Sequence, residues 1–464
     1  MTRRRTWVAA VALLAASGCA GPRSAPPVAA GVTPPSMWRT ALAAGQPVTS
    51  DWWRSFGDPV LAALIERALA NNVDIAVAAA RVEEARATER LARAQLAPQI
   101  GGALPTSDGR ALNPFGVPTT NLGSQPALTA SYDLDLFGRL RLASEAARAQ
   151  TLATAAARDT VRLGIVGSVA SGYITLRALD ARLLVARETL AARAEALRIA
   201  RRRAETGYTS MLELHQAEGE YRATAQLVPQ AQLAIARQEN ALGVLVGDTP
   251  GPVARGVALA AIAAPPIPAG MPADLLRRRP DIAQAEQALV ASDRSLDSTR
   301  AAFLPNLALT GSAGLVLSTA LSNPVGVFSL GGSVLAPLFD GGRLRAQADA
   351  AAARRDQAAF GYRRAALNAF REVDDNLAGV LRTGEQETAI AGQRDALAAA
   401  LRNAANRYRA GYSSYLDQLD TQRGLLTAEL ALVQARADRL NAYVGLYQAL
   451  GGGWSPAEMD AARR

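Results

Sequence analysis

The sequence predicts a mainly α-helical protein with a smaller antiparallel β part, the whole built twice along the chain. Three observations carry this. The stretch from Leu69 to about Leu245 is answered by the stretch from Leu276 to about Leu450. Asp74 matches Asp281 and Pro98 matches Pro305, both 207 apart, while Arg139 matches Arg343 and Gly207–Ser210 matches Gly411–Ser414, both 204 apart. A repeat of this size exceeds the roughly 20–50 residues of solenoid units and marks one module built twice. Next, Arg139–Thr206 and Arg343–Ala410 contain no proline, and about 68 residues make roughly 100 Å of helix. Val169, Leu176, Leu183, Leu190 and Leu197 recur every seventh residue, as do Leu426, Val433, Leu440 and Tyr447, which is a coiled-coil seam. Finally, residues 99–136 and 306–335 turn to Gly, Ser, Thr and alternating apolar residues. Ala127–Leu134, Asn306–Leu317 and Val325–Leu335 read as strands. Their lengths suit the roughly 9–11 residues of a tilted membrane strand; a soluble hairpin capping a helical bundle is the other reading.

The elements follow in order. Arg3-Arg4-Arg5 is a basic n-region and Val8–Ala16 an apolar h-region too short to span a bilayer. Ala16-Ser17-Gly18-Cys19 resembles a bacterial lipobox, with Ala16 where Leu is usual. Residues 1–18 are therefore expected to be a signal peptide and Cys19, the only cysteine, to be lipidated and to carry palmitate. A lone cysteine makes neither an intramolecular disulfide nor a zinc site. Gly21 is not the Asp that retains lipoproteins at the inner membrane, which points to the outer membrane. Residues 19–50, rich in Pro, Ala and Gly, read as an extended tether.

Trp52–Pro59 opens the first repeat, residues 51–246. Pro59 suits a helix start, and one helix is expected from there to Ala97, closed by Pro98. After the strand pair, the long helix turns back at Gly207, which can take the left-handed conformation. Ser210 and Glu213 form a capping box for the return helix, which Pro229 is expected to kink. Residues 247–275 are a Pro/Gly-rich linker. The second repeat, 276–450, turns at Gly411, with Ser414 and Asp417 as the capping pair. Residues 451–464 read as a loose tail.

Composition excludes several functions. The net charge is +9 and every basic residue is Arg, which reads as codon bias. Arg201–Arg203 and Arg277–Arg279 are expected on solvated helix faces, and no basic run interleaves with aromatics, so nucleic acid is not expected as a partner. His215 is the only histidine and reads as a surface or packing residue. No phosphate loop, metal cluster or nucleophile motif is present, so the chain is expected to be no enzyme and to need no cofactor or metal.

Four strands cannot close a membrane barrel, and open edges are not tolerated in lipid. Membrane strands would therefore require oligomerisation, and three copies would supply a 12-stranded barrel. At this point the chain resembles the TolC-like outer membrane efflux family, in its OprM/NodT lipoprotein branch. The resemblance rests on Trp52–Pro59, Leu275–Ile282, Phe303–Leu307, Phe339–Gly342 and Gly411–Asp420 and covers everything after Cys19. It implies a homotrimeric channel-tunnel of a Gram-negative cell outer membrane, lipid-anchored and reaching into the periplasm. The paired hairpins would form a trimeric α-helical barrel. Its partners would be a periplasmic adaptor, a resistance-nodulation-division pump and outer membrane lipid, and its activity the efflux of drugs or other toxic compounds. A type I protein secretion channel and a periplasmic adaptor are the alternatives. An adaptor would show one hairpin rather than two.

The resemblance also assigns sites. Acidic rings narrow the tunnel at the hairpin tips, and the motif carries them onto Asp417 and Asp420, which share a helix face. Like charges so close would repel, attract cations and raise one another's pKa. Capping alone would also explain Asp417; Asp420 lies beyond the cap. Tip closure by a tyrosine–acid hydrogen bond falls on Tyr408 and Glu213, with packing as the other reading of Tyr408. An arginine used by TolC-type tips is Ser413 here.

Overall fold

The structure, a computed structural model, describes residues 23–40, 48–112, 114–267, 271–319 and 321–455. The expected signal peptide, Cys19 and residues 456–464 lie outside them. The chain divides into two compact units, each assembled from three stretches: Met1–Val32, Ala80–Ala155 and Ala283–Arg364 form the first, and Thr33–Ala79, Ala156–Ile282 and Ala365–Arg464 the second.

The first unit holds the sheet. Its strands are β1 (Gln99–Ala103), β2 (Thr106–Leu112), β3 (Pro118–Ser124), β4 (Ala127–Asp133), β5 (Asn306–Ser318) and β6 (Val325–Leu335). Six segments make only four lanes. Breaks near Pro105 and Pro126, which have no N–H for the ladder, divide the first hairpin, so β1 and β4 pair at one end and β2 and β3 at the other. β5 pairs with β3 and β4 on one side and β6 on the other, all antiparallel. Among the described residues, the β1/β2 lane and β6 end the sheet.

Register separates the two faces. Ile100, Ala130, Gly311 and Leu330 lie in one row, and Gly102, Leu128, Ala313 and Phe328 in the next but one. Leu307, Leu309, Leu315, Leu317 and Val334 share that face, and Phe328 and Leu330 are each 88 % exposed on it. The opposite face carries Thr129, Ser131, Thr310, Ser312, Ser329 and Ser333, with Ser312 Oγ 2.8 Å from Ser329 Oγ, and valines at its turn end. An apolar face left in the open contradicts burial economy in water.

In the same unit the tether is docked rather than loose. Arg355 is fully buried; its Nη1 donates to Ser24 O at 2.6 Å, Nη2 to Ser24 Oγ and Ala25 O, both at 3.2 Å, and Nε to Asp356 at 2.9 Å. Arg363 donates to the carbonyls of Ala29 and Gly31, and Arg23 pairs with Asp293 and Asp297. The arginines satisfy carbonyls of Ser24, Ala25, Ala29 and Gly31 that this stretch of chain does not pair in a ladder or a regular helix.

The second unit is helical. It draws on α1 (Pro59–Asn71), α2 (Val73–Ala94), α3 (Arg139–Glu205), α4 (Met211–Ala225), α5 (Leu227–Leu245), α6 (Pro272–Arg278), α7 (Pro280–Ala301), α8 (Arg343–Arg409) and α9 (Tyr415–Ala449), of which α2, α3, α7 and α8 also run through the first unit. α3 and α8 are 67 residues each, and none of the described helices is long and apolar enough to cross a membrane. On the seams Val169, Leu176 and Leu440 are fully buried. The single helix expected from Pro59 to Ala97 is two, because Asn72 leaves helical geometry to cap α2: its Oδ1 accepts from Ile75 N at 3.1 Å and its Nδ2 donates to Leu245 O at 2.8 Å. The first return helix breaks at Gln226, three residues before Pro229.

Asp58 ties the linker to this unit. It is buried, and Oδ1 caps α1 through Val60 N (2.8 Å) and Leu61 N (3.3 Å). Oδ2 accepts from Tyr173 Oη (2.9 Å) and Val257 N (3.1 Å), while Gly256 N donates to Tyr173 Oη (2.9 Å). Burial pushes the Tyr173 phenol up to about 12, so it stays a donor. A Cβ on Gly256 would stand 2.1 Å from Asp58 Oδ1. Gly256→Ala is therefore expected to cost about 2–3 kcal/mol by dislodging a saturated buried carboxylate, read as a lowered thermal midpoint of the purified protein.

Arg279 and the start of the tail both depart from what the sequence predicts. Arg279 does not lie on a solvated face: it is buried, bonding Asp281 (2.6 and 2.9 Å), Ala449 O (2.9 Å) and Glu372 (2.8 Å). The start of the tail is not loose either. Gly451, Gly452 and Gly453 all have positive φ, which only glycine adopts readily, and this turn delivers buried Trp454 to Asp159 Oδ2 at 3.0 Å.

Candidate functional site

The tips of the two hairpins are built alike. At the first, Gly207 has φ 70°, Tyr208 N donates to Arg203 O (2.8 Å) and Gly207 N to Ala204 O (3.1 Å). At the second, Gly411 has φ 78°, Tyr412 N donates to Arg407 O (2.9 Å) and Gly411 N to Tyr408 O (3.1 Å). This pattern satisfies the last carbonyls of α3 and α8. Tyr208 and Tyr412 stand out at the turns, 78 % and 79 % exposed.

Ser210 Oγ accepts from Glu213 N (3.3 Å) and Ser414 Oγ from Asp417 N (3.4 Å), starting α4 and α9. The expected box is only half made at Glu213. Its carboxylate does not return to Ser210: Oε2 accepts from Thr209 Oγ1, and Oε1 accepts from Tyr408 Oη on the other hairpin. Tyr408 also packs against Tyr415, ring centroids 5.7 Å apart, with the Arg203 guanidinium 5.1 Å from its ring centre. Below lies a small core of Ala200, Ala217, Tyr415 and Leu419, with Leu197 and Leu214 against it. Burial first, then the bond to Glu213, pushes the Tyr408 phenol up to about 12, so it remains a donor at any physiological pH. Arg203 thus leaves the solvated face expected of it. Ser413 Oγ is buried without a hydrogen-bond partner, so it does not replace the missing arginine.

Asp417 and Asp420 both lie on the exposed side of α9. Asp417 sits at the cap. Asp420 is 66 % exposed in its side chain, with Arg423 Nη1 3.8 Å from its Oδ1. Arg423 Nε donates to Glu220 Oε1 at 2.7 Å, and Arg193 Nη2 lies 3.2 Å from Glu220 Oε2. The Glu220 bond holds the Arg423 guanidinium pKa up, whereas burial pushes that of Arg193 down. Arg193, Glu220 and Arg423 are not singled out by any motif in the sequence. The available signal is heptad spacing on α4, where Glu220 lies seven residues after Glu213 on one face. His215 is exposed.

This arrangement offers charged and hydrogen-bonding groups that join one hairpin to the other, with no reactive constellation among them. Comparison with known proteins agrees. The model of the "Outer membrane efflux protein" family matches the chain twice, at residues 64–248 and 271–452. The solvent efflux pump outer membrane protein SrpC of Pseudomonas putida is 37% identical over 421 residues, covering 87% of each chain. The cation efflux system protein CusC of Escherichia coli is 36% identical over 409 residues, covering 87% of this chain and 88% of its own. A solved structure of CusC superposes with a TM-score of 0.82 at 33% identity, covering 93% of this chain and 99% of that one. Long duplicated helices, a small antiparallel sheet and these matches together mean that the chain belongs to the TolC-like outer membrane efflux protein family and is not an enzyme.

Proposed function

We propose that three copies of this chain form a channel-tunnel in the outer membrane, a passive exit duct for small molecules handed over by a periplasmic adaptor and an inner-membrane resistance-nodulation-division pump. The observation that carries this reading is the sheet: four lanes, one apolar face and two terminal lanes without a further strand among the described residues. Threefold repetition closes such a sheet at twelve strands and removes its edges. The paired hairpins would then form the periplasmic helical barrel, and Cys19 would carry the lipid that anchors it. Mass spectrometry of the N-terminal peptide tests the anchor: acylated Cys19 supports it, an unmodified mature terminus excludes it.

At the tips, Asp417 and Asp420 would ring the constriction, and Tyr408 with Glu213 would hold it shut until the hairpins part. SrpC and CusC are named for solvents and cations. The cargo here is a small toxic compound selected by the pump. Dye retention in Gram-negative cells lacking their own efflux channels tests the function. Retention should fall when this chain is expressed with a matched pump and adaptor, and stay high with either omitted. Restored export of a type I secretion substrate, with no effect on dye, would favour the protein-secretion alternative.

The membrane reading has its own test in the sheet. Leu330→Arg places a cation in mid-strand on the apolar face and is expected to cost about 2–4 kcal/mol, read as loss of the assembled band in outer membrane fractions. Ser329→Arg, on the opposite face, is expected to assemble.

A further inference from the structure

Glu220 holds two guanidiniums at once. Arg193, 2 % exposed, faces it and among the described residues pairs with no other carboxylate, the Tyr415 hydroxyl being its other polar neighbour. On the other side, Arg423 spends Nε and Nη2 on the single oxygen Oε1. Only Nη1 is left turned toward Asp420, at 3.8 Å, within ion-pair range but beyond a hydrogen bond. Arg423 is 54 % exposed and Asp420 66 %, whereas Glu220 is 14 %. The four groups sum to zero charge: Arg193 and Glu220 lie inward, Arg423 is held on Glu220, and Asp420 is left outward without a hydrogen-bonded cation.

We propose that Glu220 and Arg423 set the ion selectivity of the channel, with Glu220 withholding Arg423 from Asp420 so that the constriction keeps a net negative field. This rests on the reading of Asp420 as a constriction residue. Glu220 is a positioning residue: it touches no permeating ion and acts through Arg423. Without its charge, Arg423 is free to close on Asp420, three residues away on the same face, and the field weakens. Without Arg423, Glu220 remains paired with Arg193 and Asp420 is unopposed. The two substitutions therefore act in opposite directions, which mere loss of a staple between α4 and α9 would not produce.

The test is the reversal potential of the full-length protein in planar bilayers under a KCl gradient. Wild type, Asp420→Asn, Glu220→Gln and Arg423→Gln are compared, each also in a Tyr408→Phe background so that a tightly closed tip does not hide the current. Expected is a K+/Cl− permeability ratio that rises about threefold in Arg423→Gln and falls about threefold in Glu220→Gln, the weight of one unit charge at several ångströms in water. Asp420→Asn should fall at least as far. If Asp420→Asn shifts the ratio and the other two leave it unchanged or move it the same way, the proposal is overturned and the constriction reading stands. If Asp420→Asn also leaves it unchanged, the constriction reading fails and the proposal with it.

Discussion

Tyr408→Phe is expected to raise the open probability of the channel by about a hundredfold. The substitution keeps the ring, and with it the contacts to Tyr415 and Arg203. It removes only the hydroxyl that donates to Glu213. A hydrogen bond to a charged acceptor contributes about 1.5–3 kcal/mol, reduced here to about 1 kcal/mol because the pair is half in solvent. Three copies acting together favour the closed tip by about 3 kcal/mol, or roughly two decades in population. Single-channel recording reads this directly. Glu213→Gln, which keeps an acceptor but drops the charge, should fall between wild type and Tyr408→Phe. Unchanged gating in Tyr408→Phe would return Tyr408 to the role of a packing residue.

The second large effect is expected at Arg355. Its buried guanidinium makes three hydrogen bonds to Ser24 and Ala25 and a fourth to Asp356. Arg355→Ala is expected to cost about 3 kcal/mol, since it empties the space of a fully buried side chain and removes its bonds to Ser24 and Ala25. It should also free the tether, so that trypsin cleaves after Arg23 many times faster while the helical signal in circular dichroism is retained. Arg355→Lys should not rescue, because one ammonium cannot reproduce the planar fork. Equal cleavage rates in wild type and Arg355→Ala would mean that other contacts hold the tether.

The parts of the fold that the sequence reveals are those with a period or a repeat. The 204-residue offset places Gly207 and Gly411 at equivalent turns, and both adopt the left-handed conformation. Absence of proline bounds α3 and α8 to within a residue or so, and alternation places β5 and β6. Irregular features are less legible. Asn72 breaks a helix whose apolar spacing runs on undisturbed, because its cap depends on the Leu245 carbonyl, far away in sequence. Trp454 reads as part of a glycine-rich tail, and only Asp159, 295 residues away, shows that it is buried. Arg279 looks like one of three solvated arginines until Glu372 and Ala449 are brought beside it.

The tip shows the same division. Glu213 satisfies a local capping rule, and the rule is sound for its backbone N–H. Its carboxylate instead reaches across to Tyr408, a use that local spacing does not encode and that the family resemblance supplied. The Arg193–Glu220–Arg423 chain follows from how α3, α4 and α9 register against one another, which a single strand of text carries only as heptad spacing.

On the proposed function, closure of the sheet requires three chains. Native mass spectrometry of the full-length protein, extracted from outer membranes and released from detergent in the gas phase, tests it most directly. Expected is a particle of three chains that keeps its β-sheet signal and dissociates only with loss of that signal. A well-folded single chain or dimer, with the sheet intact and no trimer at any concentration, would contradict it.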